Sequence, residues 1–204
     1  MKHAATRKLT ASAVIAALYA VLTMIDPLAY GQVQFRISEV LCVLPFFFPY
    51  SAFGLTVGCM LANLLGPYTV VDAVFGSLAT LLAGLCTAAL GKRYRETQKA
   101  GWVSCLLVCL MPVLFNAVIV GAEIAIFALF PGSIATLGGF FTGAEEVYRA
   151  DPGQFWGMYG LCALGVALGE AVILYALGLP AMRYLLKNPR LSGMLRQLQG
   201  DKQK

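Results

Sequence analysis

Six apolar runs divide this chain, at about 9 to 25, 37 to 48, 50 to 66, 70 to 91, 102 to 130 and 155 to 186. A bilayer offers no water to backbone N–H and C=O groups, so runs of this kind satisfy their own backbones as helices. Crossing the hydrocarbon core takes about 20 helical residues, which makes the second run short and the fifth and sixth long enough to tilt or project into water. Hydrophobic residues make up 59% of the 204, charged residues 12%, and mean hydropathy is +0.76. No large soluble domain fits in what remains. The expected fold is an all-α integral membrane protein, one six-helix domain over residues 1–204, with tails at about 1–8 and 187–204. Asp26-Pro27 follows the first run where a signal peptide would carry small cleavage-site residues, so that run is read as a retained spanning helix.

Basic residues set the orientation. Lys2, Arg7 and Lys8 precede the first run; Lys92, Arg93, Arg95 and Lys99 separate the fourth from the fifth; Arg183, Lys187, Arg190, Arg196, Lys202 and Lys204 close the chain. Six crossings put all three clusters on one side, leave Arg36 and Arg149 on the other, and predict cytoplasmic termini. Pro45 and Pro49 interrupt the second and third runs. A single kinked helix there would put the 92–99 cluster on the opposite face, so a shallow hairpin turning at Pro49-Tyr50 is the better reading.

Within or beside these runs lie Glu39, Asn63, Asp72, Asn116, Glu123 and Glu170, with Arg36 three residues before Glu39. An acidic residue at the bilayer centre costs roughly 2.5 to 3.5 kcal/mol, so several of them imply a polar cavity. At 1.5 Å per residue, Arg36, Glu39, Asn63, Asp72, Asn116 and Glu123 converge on the outer half, and Glu170 lies deeper. Each has a plainer alternative. Asp72 can serve the positive end of a helix dipole, Arg36 and Glu39 can pair with each other at the interface, and Asn63 and Asn116 can be interhelical hydrogen-bond glue. Glu123, among Val120, Ile124 and Ile126, has no polar neighbour to account for it and is read as facing a ligand. Glu170 divides between site wall and structural or coupling role.

Small residues recur at helical spacing, in Ala13, Ala16, Ala17 and Ala20, in Gly54/Gly58 and in Gly165/Gly169. Such faces pack closely, within the bundle or on another protein. Six cysteines without a CxxC pair read as buried, reduced hydrophobes, and His3 as a solvated tail residue. The nearest approach to a Walker A loop is Gly91-Lys92, with Arg93 in place of Ser/Thr and Cys86 in place of the first glycine. HExxH, GxSxG and an obvious inverted repeat are all lacking. The chain reads as a solute-binding membrane protein without an engine of its own: not an enzyme, with no metal and no cofactor.

The stretches Phe35-Arg36-Ile37-Ser38-Glu39-Val40-Leu41, Asn63-Leu64-Leu65-Gly66, Asp72 through Thr80, Pro112 through Asn116 to Gly121 and Glu123, and Gly169-Glu170 resemble the QueT family. That family comprises substrate-binding S components of energy-coupling factor (ECF) transporters for queuosine precursors in bacteria, which implies a multi-pass protein of the bacterial cell membrane. The resemblance implies a six-helix S component that captures its solute outside, then works with a T subunit and two ATPases. It also implies that Ala13, Ala16, Ala17 and Ala20 face the T subunit. A 7-deazaguanine offers N1–H and an exocyclic amine to one carboxylate, for which Glu123 or Glu39 is suited, and a carbonyl to Asn116, Asn63 or Arg36. A cationic side arm suits Asp72, or the aromatic faces of Phe75 or Tyr159. Thiamine-like and other cationic solutes would fit much the same set. A proton-coupled secondary transporter using Glu123 or Glu170 and a membrane scaffold remain as alternatives. The stretch from 131 to 154 reads as a lid or a disordered loop, and the tail from Arg183 as an amphipathic surface helix broken at Pro189.

Overall fold

The computed structural model describes residues 2–26, 29, 34–66, 69–131, 136–188 and 190–192, and among them no strand occurs. The helices are α1 (Lys2–Met24), a 3-10 helix (Ile37–Val43) running into α2 (Leu44–Phe47), α3 (Ser51–Leu64), α4 (Thr69–Leu90), α5 (Lys92–Thr97), α6 (Trp102–Leu129), α7 (Leu137–Ala150), α8 (Pro152–Ile173) and α9 (Leu179–Lys187). Four segments are long and apolar enough to cross a membrane, at Ala5–Met24, Val70–Thr97, Trp102–Leu129 and Pro152–Lys187; Ile37–Phe47 and Ser51–Leu64 are apolar but shorter.

The hairpin expected at Pro49-Tyr50 is present, and its first arm is the axis of the fold. That arm contacts α1, α3, α4, α6 and α8, and Ser38, Glu39, Cys42, Val43, Phe46 and Phe47 are all buried. A 3-10 helix has poorer hydrogen bonds than an α-helix. Backbone of this kind is tolerated at membrane depth where protein rather than lipid surrounds it. The two forms together rise roughly 20 Å, too little for a hydrocarbon core of about 30 Å.

Around this arm the four long helices and the shorter α3 pack in the order α1, α3, α4, α6, α8. Glycines set the close approaches. A Cβ at Gly54 would lie 2.5 Å from the Ser12 carbonyl oxygen, one at Gly58 2.6 Å from that of Ala16, and one at Gly121 2.7 Å from Ala163 Cα. Ala16 and Ala20 are accordingly buried, while Ala13 and Ala17 face outward. At the end of the bundle that holds the basic clusters, Arg95 donates to the carbonyls of Phe46 and Ala88, both at 2.8 Å. Phe46, Phe47 and Tyr94 form an aromatic cluster beside it.

The sixth run continues without a break into α9 through a π-helical stretch, Leu174–Gly178. Pro180 explains it. Proline has no N–H and crowds the carbonyl four residues back, so the turn ahead widens, and the Leu179 N–H bonds to Leu174 instead. At the other end the stretch read as a lid or a disordered loop contains a helix, α7. Thr136 caps it by accepting from the Gly139 N–H at 3.0 Å, and buried Phe140 packs with Val71, Ile126 and Phe127. All six cysteines are free thiols. The tail beyond 192 lies outside the described residues.

Candidate functional site

The 3-10 arm and its approach carry the polar groups into the bundle. Three contacts fix the approach against α1 and the residues just after it. The Ile37 N–H bonds to Asp26 Oδ2 at 3.1 Å, Thr23 Oγ1 lies 2.7 Å from Ser38 Oγ, and Tyr19 donates its hydroxyl to Glu39 Oε1. Glu39 Oε2 accepts from Cys42 Sγ at 3.0 Å. The backbone of Gln34 lies on Gly169 of α8, where an added Cβ would stand 2.3 Å from the Gln34 carbonyl oxygen. Only glycine admits that approach. Gly169→Ala is therefore expected to lower stability by about 1 to 3 kcal/mol and to displace Gln34 and Arg36 from the site. Thermal unfolding of that variant against Gly160→Ala, whose Cβ would meet nothing within 4 Å, measures the effect.

Arg36 sits at the centre. Its Nε donates to the Ala29 carbonyl at 2.9 Å, and Nη2 lies 3.6 Å from Asp72 Oδ2. Asp72 is in the first turn of α4, but among the described residues neither of its carboxylate oxygens accepts a hydrogen bond, so it caps no backbone N–H there. Asn63 donates to the Asp72 carbonyl oxygen at 3.0 Å. It thereby ties the end of α3 to the start of α4. On the opposite wall Asn116 of α6 donates to Glu170 Oε1 of α8. Glu170 interacts electrostatically with Glu39 and Arg36, and Glu123 with Asp72 and Arg36.

All seven residues singled out from the sequence thus meet in one cluster. Asn63 and Glu170 are 0% exposed, Arg36, Glu39 and Asp72 1%, and Asn116 and Glu123 2%. The alternative in which Arg36 and Glu39 pair with each other at the interface does not hold, because both are buried in the bundle and Arg36 reaches across to Asp72. Glu170, read as lying deeper than the rest, bonds to Asn116. Phe75 packs into an aromatic group with Phe140 and Phe141, and Tyr159 stacks on Phe155. Sequence reasoning missed Tyr19, which binds Glu39, and Gln34, which is 1% exposed with neither side-chain amide atom hydrogen-bonded among the described residues. The only signal for Gln34 was a polar residue just ahead of the second run.

The balance of unused groups is lopsided. Buried atoms without a hydrogen-bond partner among the described residues include Asn63 Oδ1, both Asp72 oxygens, both Glu123 oxygens and Glu170 Oε2, as well as the Gln34 amide. Nearly all of them are acceptors. Four carboxylates share the cluster with one guanidinium. Groups like these are costly to bury unmatched, so the cluster is chemically suited to a ligand rich in donors. No group of three or more His, Cys, Asp or Glu side chains arranged to hold a metal occurs among the described residues.

Long apolar helices wrapped around a buried acidic interior define a helical membrane protein with a polar site at its core. A profile of QueT transporters matches residues 9–187, and the chain belongs to that transporter family. The queuosine precursor transporter QueT of Lactococcus lactis subsp. cremoris is 37% identical over 99 residues, covering 47% of this chain and 58% of that relative. The match spans less than two thirds of the relative's length. No solved structure matches the chain.

Proposed function

We propose that this protein is the membrane-embedded substrate-binding component of an ECF importer, and that it captures a queuosine precursor, a 7-deazaguanine such as 7-aminomethyl-7-deazaguanine, from the outer side. The surplus of unpartnered buried acceptors carries this reading. A 7-deazaguanine presents adjacent N–H donors to one carboxylate, and its aminomethyl arm adds a cation. Glu123, with both oxygens unused, takes the paired donors, and Asp72 and Glu170 balance the charge of the arm. Gln34, Asn63 and Arg36 surround the carbonyl edge. Glu39, held by Tyr19 and Cys42, braces the frame. The name of the Lactococcus relative supports the substrate class.

Six crossings with cytoplasmic termini, the central hairpin counted as two, account for the basic clusters collecting at one end. The residues include no ATP-hydrolysing motif, so energy comes from a T subunit and two ATPases. Ala13 and Ala17, on the outward face of α1, offer the T subunit a surface of small residues. Uptake of labelled 7-aminomethyl-7-deazaguanine by cells producing this chain with its energising subunits is expected to continue when the proton gradient is collapsed and ATP maintained. Uptake that stops under those conditions would instead mark a proton-coupled secondary transporter.

A further inference from the structure

The end of the bundle that carries the basic residues holds a second site, remote from the solute cluster. A cavity of about 360 Å³ opens there between the start of α6 and the end of α9, with Lys99, Trp102, Cys105, Arg183, Leu186 and Lys187 on its walls. Three of its lining residues are cations and none is acidic. Among the described residues none of those three cations has a carboxylate partner. The guanidinium carbon of Arg183 lies 3.3 Å from the centre of the Trp102 ring. Stacking of that kind fixes the plane of the guanidinium and leaves its in-plane N–H donors available.

Position says what those donors meet. The 28 residues of α6 make a rod about 42 Å long, against about 30 Å of hydrocarbon and about 40 to 45 Å with headgroups included. Trp102, in its first turn, therefore stands at headgroup level, and the adjoining Val103 and Leu106 are exposed on the lipid side. We propose that this cavity binds the phosphate of an anionic phospholipid, with Lys99, Arg183 and Lys187 around the headgroup and the acyl chains along α6. A choline headgroup would bring its own cation against these three, so a zwitterionic lipid is the poorer fit.

The test is native mass spectrometry and thermal unfolding of the detergent-purified chain with phosphatidylglycerol, phosphatidylcholine or inorganic phosphate. Phosphatidylglycerol is expected to stay bound and raise the unfolding midpoint, and the other two are not. The double variant Arg183→Gln/Lys187→Gln is expected to weaken that binding roughly 25-fold, at about 1 kcal/mol per basic residue, with solute affinity unchanged. Lys99→Gln, which alters a single exposed side chain, is expected to lose roughly fivefold and serves if the double variant does not fold. Equal stabilisation by phosphatidylcholine, full stabilisation by phosphate alone, or undiminished lipid binding in the variants would each overturn the proposal.

Discussion

Arg36→Gln is expected to destabilise the protein by about 3 to 5 kcal/mol, the cost of leaving a buried carboxylate without its counter-charge. Arg36 is 1% exposed, reaches Asp72 across the bundle and anchors the Ala29 carbonyl. Removing the guanidinium leaves Asp72 without its counter-charge, which a neutral amide does not replace. The double variant Arg36→Gln/Asp72→Asn is expected to recover most of the loss, because two neutral amides can then face each other. Denaturant unfolding in detergent measures the cycle. A double variant as unstable as the single one would show that Arg36 acts through its bond to Ala29 and not through the ion pair.

Glu123→Gln is expected to separate binding from stability. Its carboxylate has no hydrogen-bond partner among the described residues and is 2% exposed, so neutralising it removes a buried charge without breaking a protein contact. The variant should be at least as stable as the parent. Solute affinity should nevertheless fall about 30-fold or more, since truncating one side of a buried, hydrogen-bonded charge pair costs about 2 to 5 kcal/mol. Were Glu123 interhelical glue, the signs would reverse, with stability lost along with binding. Thermal unfolding and solute titration on the same preparation distinguish the two outcomes.

The helices and their hairpin were legible because hydropathy and proline act locally. Pro45, Pro49 and the short second run predicted a turn at Pro49-Tyr50, and the turn is there. That the short arm would become the central axis was not legible, because its burial depends on α4, α6 and α8 as well as on the flanking α1 and α3. The helix α7 was missed for the same reason: Gly138, Gly139 and Gly143 weaken its local signal, and it is held by Phe140 docking on α4 and α6. The polar cluster itself was legible through the cost of burying acids in apolar runs. Glu170 was set apart because depth was counted along each run by itself, and such a count does not show that α8 brings Glu170 beside Asn116 of α6. Tyr19 and Gln34 had no pattern to betray them. A tyrosine in an apolar run and a glutamine in a loop are ordinary until Glu39 and Gly169 meet them in space.

The central claim is that the buried acceptors of this bundle recognise a donor-rich 7-deazaguanine. Calorimetric titration of the detergent-purified chain with 7-aminomethyl-7-deazaguanine, with guanine and thiamine as controls, tests it most directly. The account predicts saturable binding of the aminomethyl compound and weaker binding of both guanine, which lacks the cationic arm, and thiamine, which lacks the adjacent N1–H and amine donors of the purine-like ring. No heat with the deazaguanine, or equal affinity for thiamine, would contradict it.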